Sequence, residues 1–279
     1  MIINHNISAL TAHRHLIANQ QKMYQSMERL SSGLRINRAA DDPAGLAISE
    51  KMRAQIRGLE MAQKNALDTI SLLQTAEGTL HEIHAILQRA REIAVQAAND
   101  TNTEGERQAL QAELNELLEE IDAITGRTEF NQQKLIDGSF KDKVFQIGAN
   151  EGQNIKVSIA AMDTGSLGLS DLKVDASGTS GGILTQEGAD EAISMFDDAI
   201  NNVSSQRAQI GATQNRLEHT INNLATTQEN LTAAESRIRS ADMAKEIMLF
   251  TKQSILSQVA QAMLAQSMQM SQGILQLLR

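Results

Sequence analysis

TQEGADEAISMFDDAINNVSSQRAQIGATQNRLEHTINNLATTQENL runs from Thr185 to Leu231. Within it Ala189, Ile193, Phe196, Ile200, Val203, Ile210, Leu217, Ile221, Leu224 and Leu231 hold one heptad register, the spacing that keeps a single helix face against a partner. At ~1.5 Å per residue such a helix extends about 70 Å, longer than a compact core requires. The stretch predicts a rod, and a rod needs other helices beside it.

Two upstream segments supply them. From Ala66 to about Ala98, Leu73, Ala76, Leu80, Ile83, Leu87, Ala90, Ala94 and Ala97 step by three and four. A turn-rich stretch from Asn99 to Gly105 ends that pattern. A second helix is expected from about Glu104 to Thr125, with Leu110, Leu114, Leu117, Ile121 and Ile124 on its stripe and Gly126 as its C-cap. The period then drops to two. Val144, Phe145 and Ile147 precede a Gly148–Gly152 turn, and Ile155, Val157 and Ile159 alternate with polar neighbours, so a β-hairpin is expected at about 143–160. Leu167, Leu169, Leu172 and Val174 are expected to add extended structure, and residues 177–182 to form a linker loop. The fold expected is mainly α: a long antiparallel coiled-coil helical rod with a small β-hairpin, plus paired N- and C-terminal helices.

Both ends carry their own apolar stripes. Ile3, Ile7, Leu10, Ile17, Met23, Met27, Leu30 and Leu34 mark a helix of about thirty residues near the start. Leu256, Val259, Met263, Met270, Ile274 and Leu277 step by three, four and seven near the end. Chain ends usually fray. Stripes this apolar must be covered either by each other or by neighbouring subunits, and self-association is the expected outcome.

Composition narrows the function classes. Aromatic residues make up 2 % of 279, with no Trp, whereas pockets and rounded cores draw heavily on aromatic side chains. A net charge of −9 argues against nucleic acid or an anionic membrane as main partner. With no Cys there is no disulfide and no thiolate metal site. The opening MIINHNISAL lacks the basic start and apolar run of a cleaved secretory signal. Glu77, His81 and His84 share a helix face, but the spacing is not that of a zinc-binding His-Glu-x-x-His helix and no second cluster completes it. Nucleophile elbow, P-loop and paired catalytic acids are all missing, so neither enzyme nor cofactor is expected.

Longer stretches carry a family resemblance. Leu30-Ser31-Ser32-Gly33-Leu34-Arg35-Ile36-Asn37-Arg38-Ala39-Ala40-Asp41-Asp42, followed by Ala44-Gly45-Leu46-Ala47-Ile48, resembles the N-terminal signature of bacterial flagellin. The likeness recurs in the stretch from Leu87 to Gln96, in Arg127-Thr128-Glu129-Phe130-Asn131, from Asn230 to Arg239, in Met263-Leu264-Ala265-Gln266 and in Leu277-Leu278-Arg279. The chain most resembles the short flagellins of Gram-positive bacilli, without the outer domains of larger relatives. One departure is the Met-containing stretch from Gln266 to Gly273, where relatives commonly carry Asn and Pro.

That resemblance implies a subunit that self-assembles into the extracellular flagellar filament for motility, exported by a type III route without a cleaved signal peptide. Residues 1–42 and 238–279 would line the inner tube, and residues 43–176 and 183–237 would form the outer rod. The implied inner-tube interface is Ile3, Ile7, Leu10, Ile17, Met27, Leu30, Leu34, Leu256, Val259, Met263, Met270, Ile274 and Leu277. Arg35, Arg38, Lys51, Arg53 and Arg57, with Asp41, Asp42 and Glu50, are expected to pair among themselves or with adjacent subunits near the tube–rod boundary. Implied partners are further copies of the chain, an export chaperone, the filament cap and hook-junction proteins. Arg89, Ile93 and Glu113 match rod positions through which an innate-immune Toll-like receptor recognises many flagellins, with Ile93 in place of the usual Leu. The alternatives are a hook–filament junction protein, which usually has a larger middle, and a cytoplasmic coiled-coil scaffold.

Overall fold

A computed structural model of the chain describes residues 6–174 and 182–277, with side chains as far as Met270. Among the described residues the long elements are α1 (Ile7–Ser32), α2 (Pro43–Ala97), α3 (Glu104–Arg127), α4 (Gln186–Arg239) and α5 (Met243–Leu277). Between α3 and α4 the chain forms two antiparallel hairpins, β1 (Glu129–Phe130) with β2 (Gln133–Lys134), and β3 (Lys143–Gln146) with β4 (Asn154–Val157). The chain divides into two compact units, residues 1–56 with 229–279 and residues 57–228.

Unit 57–228 holds the main core. On α4, Ala189, Ala192, Phe196, Ala199, Val203, Gln206 and Ile210 are all buried, an unbroken alternation of three and four that continues to Leu217 and Leu224. All eight α2 seam residues from Leu73 to Ala97 are fully buried. Leu114, Leu118 and Ile121 add the face of α3. Each Leu or Ile buried in this way contributes roughly 1.5–3 kcal/mol. Cross-helix contacts set direction. Arg107 Nε donates to the Ala97 carbonyl at 3.2 Å and Arg89 reaches Glu113 at 2.9 Å. Gln214 donates to Glu77 at 3.1 Å, and Arg91 to Asp197 at 2.6 Å. Numbers rise on α2 as they fall on the partner, so α3 and α4 both run antiparallel to it.

Several boundaries differ from the sequence reading. Helix α2 starts at Pro43, well before Ala66, because Asp42 Oδ1 accepts from Gly45 N–H at 2.9 Å and Pro43 occupies the first helical position. Helix α3 passes through Gly126, which caps nothing, and ends at Thr128. Its start is a capping box: Thr103 N–H donates to Glu106 Oε2 at 2.7 Å while the Thr103 hydroxyl receives Glu106 N–H. Leu167, Leu169 and Leu172 are buried in turns and a short 3₁₀ helix, Ser170–Leu172, and add no strand. The β1–β2 hairpin was not expected. Its Asn131 and Gln132 both have positive φ, as a two-residue primed turn demands. The expected hairpin is present as β3–β4, tied to α2 where Asn65 donates to the Gln146 carbonyl. Most of the expected 177–182 linker lies outside the described residues.

One buried amide joins the two flanks of that loop. Gln111 is fully buried; its Nε2 donates to the Leu172 carbonyl at 2.8 Å and its Oε1 accepts from Ile183 N–H at 2.8 Å. Gly182 packs against it at positive φ, where any Cβ would collide with the amide. Replacing Gln111 by Ala leaves two buried backbone groups without a partner. Chemical denaturation of the Gln111→Ala chain should show a loss of about 1–3 kcal/mol; an unchanged midpoint would mean that solvent satisfies those groups.

Candidate assembly surface

Helix α1 is delimited by its own residues. Asn6 Oδ1 caps the start by accepting from Ala9 N–H at 3.0 Å, and Gly33 ends it in the left-handed region at φ +70°. Beyond Gly33 the chain pairs with the segment between α4 and α5. Ala241 N–H donates to the Gly33 carbonyl at 3.0 Å, Arg35 N–H to the Arg239 carbonyl at 2.7 Å, and Leu34 bridges Ser240. Arg35 Nη2 adds a bond to the Ile238 carbonyl at 2.5 Å. This clasp holds the linker before α2 against the linker before α5.

The clasp also accounts for much of the Leu30–Ile48 stretch. Asp41 Oδ2 accepts backbone N–H groups of Arg38 and Asn37 at 3.0 and 3.1 Å. Donation from Arg38 is the main cause that holds the Asp41 carboxyl below its usual range; burial opposes it, and Asn37 and Arg29 reinforce it. Asp42 caps α2, and Ile36 is buried. Of the expected ion pairs Arg53 with Glu50 is present, and the others are rearranged. Arg38 meets Glu28 at 3.0 Å, Arg29 comes within 4.0 Å of Asp41, and Glu50 takes both Arg239 at 2.6 Å and Arg53 at 3.6 Å. Both aspartates serve backbone N–H groups, whose fixed geometry outcompetes flexible arginines; Arg57 is exposed.

From the clasp α1 and α5 run back antiparallel and in close contact. On α5 the inner stripe is Glu246, Phe250, Gln253, Ser257, Ala260, Leu264 and Ser267, alternating four and three, and none of these is exposed. On α1 the corresponding stripe is Ala9, Ala12, Leu16, Asn19, Met23, Ser26 and Leu30. Small and polar side chains dominate both, and Asn6 Nδ2 closes the far end on the Ser267 carbonyl at 3.0 Å. Glu246 Oε1 and Gln253 Oε1 are buried in this seam without a hydrogen-bond partner among the described residues. Sequence reading passed over this register because the stronger apolar stripe lies one residue away, about 100° around the helix.

That stronger stripe faces outward. Ile7 is 66 % exposed, Leu10 72 %, Val259 52 % and Met263 56 %, and Ile17, Met27, Leu256 and Met270 are exposed as well. Met243, Ile247, Met248 and Ile255 extend the apolar surface of α5. Ile7, Thr11, His15, Leu256, Val259 and Met263 line an open groove of about 740 Å³ between the two helices. Of the other expected interface residues, Leu30 lies on the inner stripe and Leu34 in the clasp. Ile3 lies outside the described residues, and so do the side chains of Ile274 and Leu277.

In unit 57–228, Arg89 and Glu113 form an exposed ion pair at 2.9 Å, with Glu92 at 3.2 Å. Ile93 is 0 % exposed, so its side chain supports that surface from below and does not reach it. Among the described residues no group of three or more metal-ligating side chains comes together. Glu77 is engaged by Gln214, and His84 by Gln88 at 2.9 Å. No helix among them is long and apolar enough to cross a membrane.

Comparison with known proteins places the chain in a family. Residues 3–141 match the bacterial flagellin N-terminal helical region and residues 193–278 the bacterial flagellin C-terminal helical region. The chain is 54 % identical to the flagellin of Bacillus subtilis (strain 168) and 52 % identical to that of Halalkalibacterium halodurans, in each case over 100 % of both chains. It is 45 % identical, again over both whole chains, to the flagellar filament 33 kDa core protein of Treponema phagedenis. The crystal structure of Bacillus cereus flagellin matches with a TM-score of 0.50 at 33 % identity, covering 62 % of this chain and 94 % of that one.

His84 supplies a pH test. Burial lowers its pKa from the ordinary 6.5, helped by the charges of Arg207 on α4 and His81 on α2. The unfolded chain then binds the proton more readily than the folded one. The contribution is fully present above about pH 6.5 and is lost as pH falls through the depressed folded value. Thermal midpoints of the full chain should drop from about pH 7.5 to about pH 5, with part of the drop removed in His84→Gln. Parallel curves for the two proteins would clear His84 of the effect.

Proposed function

This chain belongs to the bacterial flagellin family and is a structural subunit of the bacterial flagellar filament; we propose that the outward apolar faces of α1 and α5 join its subunits. The observation that carries the proposal is the exposed outer stripe of the terminal pair: Ile7, Leu10, Ile17, Leu256, Val259 and Met263 lie in water, while the inner seam mixes Ser26, Ser257 and Ser267 with Leu16, Leu30, Phe250 and Leu264. A face of that kind is stable only when a neighbour covers it, and further copies of the same chain supply the complementary surface. In this reading residues 1–42 and 238–279 line the inner tube, and residues 43–176 and 183–237 form the outer rod. Ile7, Leu10, Ile17, Met27, Leu256, Val259, Met263 and Met270 are its contact residues, and Ile3, Ile274 and Leu277 continue the same spacing. Arg35 holds the clasp, Asp41 and Asp42 shape the turn beyond it, and Arg38, Arg53 and Arg57 offer charge to neighbouring subunits.

The free subunit has the same face to hide before assembly. An export chaperone on α5, passage through a type III apparatus without a cleaved signal, and reception by filament cap and hook-junction proteins fit that need. The Arg89–Glu113 pair, braced by buried Ile93, is the surface offered to a flagellin-sensing Toll-like receptor.

A charge in the interface tests the main proposal. Leu10→Asp or Val259→Asp should raise the critical concentration for seeded polymerisation roughly 100-fold or more, because assembly must then bury a carboxylate. The core of unit 57–228, and so its denaturation, should be unaffected. Growth of both variants at the native concentration would refute the interface. For the receptor, Arg89→Ala monomer should bind the isolated ectodomain more weakly than native monomer does, and native protein that does not bind would end that idea.

A further inference from the structure

Sulfur in this chain is confined to twelve methionines, since there is no cysteine. Among the described residues, α5 exposes Met243, Met248, Met263, Met268 and Met270, and α1 exposes Met27. Nearly half a dozen thioethers on one helix, all open to solvent, form an unusual chemical surface. A buried thioether packs as adaptable hydrocarbon, whereas an open one meets dissolved oxidants.

We propose that Met27, Met263 and Met270 are sites of reversible oxidation by hydrogen peroxide in the free subunit, and that oxidation there blocks assembly. The proposal rests on the interface reading above. In each step a sulfur lone pair attacks one peroxide oxygen and the O–O bond breaks. Sulfur gains an S=O bond and loses two electrons, while the second peroxide oxygen leaves as water with both protons. The product is a polar, branched acceptor in place of a flexible apolar group.

Position gives the reaction its consequence. Met263 is 56 % exposed and lines the groove beside Ile7, Leu256 and Val259. The nearby Thr11 hydroxyl already donates to the Ile7 carbonyl at 2.9 Å. A sulfoxide carried into a covered interface there must give up its water, a cost that falls on assembly and leaves the fold intact. Once subunits join, the same thioethers are covered, so the filament resists what inactivates its precursor. Thiol-dependent methionine sulfoxide reductases undo the change, one enzyme for each sulfoxide epimer.

Full-length monomer is treated with dilute hydrogen peroxide, mapped for sulfoxide by mass spectrometry, and grown on filament seeds. The native chain and Met61→Leu, which removes an exposed methionine of unit 57–228, should both show a rise in critical concentration of about tenfold or more. The triple variant Met27→Leu/Met263→Leu/Met270→Leu should grow unchanged after the same treatment, and both reductases with a thiol should restore the native chain. Oxidised native chain growing at the untreated concentration would overturn the proposal. So would a triple variant inhibited as strongly as the native chain. Should the triple variant grow poorly before treatment, the reductase arm decides alone, since unrestored growth points to damage elsewhere. Untreated native chain that fails to grow on seeds would instead refute the interface on which the proposal rests.

Discussion

Two helices whose seam is built largely of small and polar residues leave a second apolar stripe, from Ile7 to Met27 and from Leu256 to Met270, uncovered among the described residues. Nearly everything distinctive about the terminal unit follows from that constraint. The inner stripes of α1 and α5 hold Ser26, Ser257, Ala260 and Ser267, small enough for the backbones to approach closely, beside Leu16, Met23, Leu30, Phe250 and Leu264 that are only half-buried, so the seam supplies less burial free energy than the closed core of unit 57–228. Glu246 adds a buried carboxylate oxygen without a partner, which weakens the pair further. A second and more apolar stripe lies outside, one residue out of register. A pair built this way gains little by folding alone and much by being covered, so folding of the ends and assembly draw on the same buried area.

Unit 57–228 is built on the opposite plan. Its heptads point inward, and its core from Leu73 to Ala97 and from Ala189 to Leu217 is closed. Gln111 sits on a core position because its amide serves loop backbone groups that would otherwise be buried unpaired, and Gln206 reaches the backbone of Ser158 and Ala160 beyond β4. The clasp of residues 33–35 with 239–241 then fixes where the helices of the terminal unit begin and end. Gly33 turns the chain, Asp41 gathers two backbone N–H groups, and Asp42 with Pro43 starts α2. The family signature is, in physical terms, a set of caps.

Much of this was legible in the sequence. Heptad spacing identified the rod helices and the α2 seam residue by residue, but on α3 the buried face runs through Gln111, Leu118 and Thr125 where Leu110, Leu117 and Ile124 were expected, and on α4 Ala192, Ala199 and Gln206 are buried where Ile193 and Ile200 are only half-buried. Alternation located β3–β4. The apolar terminal stripes were visible, as was their need for a cover. What the sequence left open was which stripe pairs α1 with α5. A hydrophobic pattern reports the most apolar face, and here the face in use is Ser257-Ala260-Ser267, whose fitness comes from size and close approach. Helix limits failed for a related reason. Gly126 reads as a cap by type, yet nothing in the chain stops the helix there, and Asp42-Pro43 starts a helix well ahead of the first strong apolar repeat. The Asn131-Gln132 turn escaped notice because only its Asn belongs to the usual pair. Ile93 was matched by position in the family motif, and position alone could not say that its side chain lies inside.

The central claim is that the chain's ends, and the apolar surface they carry, drive assembly. It is tested most directly by seeded polymerisation of the full chain beside a fragment covering residues 45–236, scored by negative-stain microscopy. The account predicts filaments from the full chain and none from the fragment, with the fragment still helical by circular dichroism. Filaments from the fragment, or a full chain that stays monomeric with its ends ordered, would contradict it.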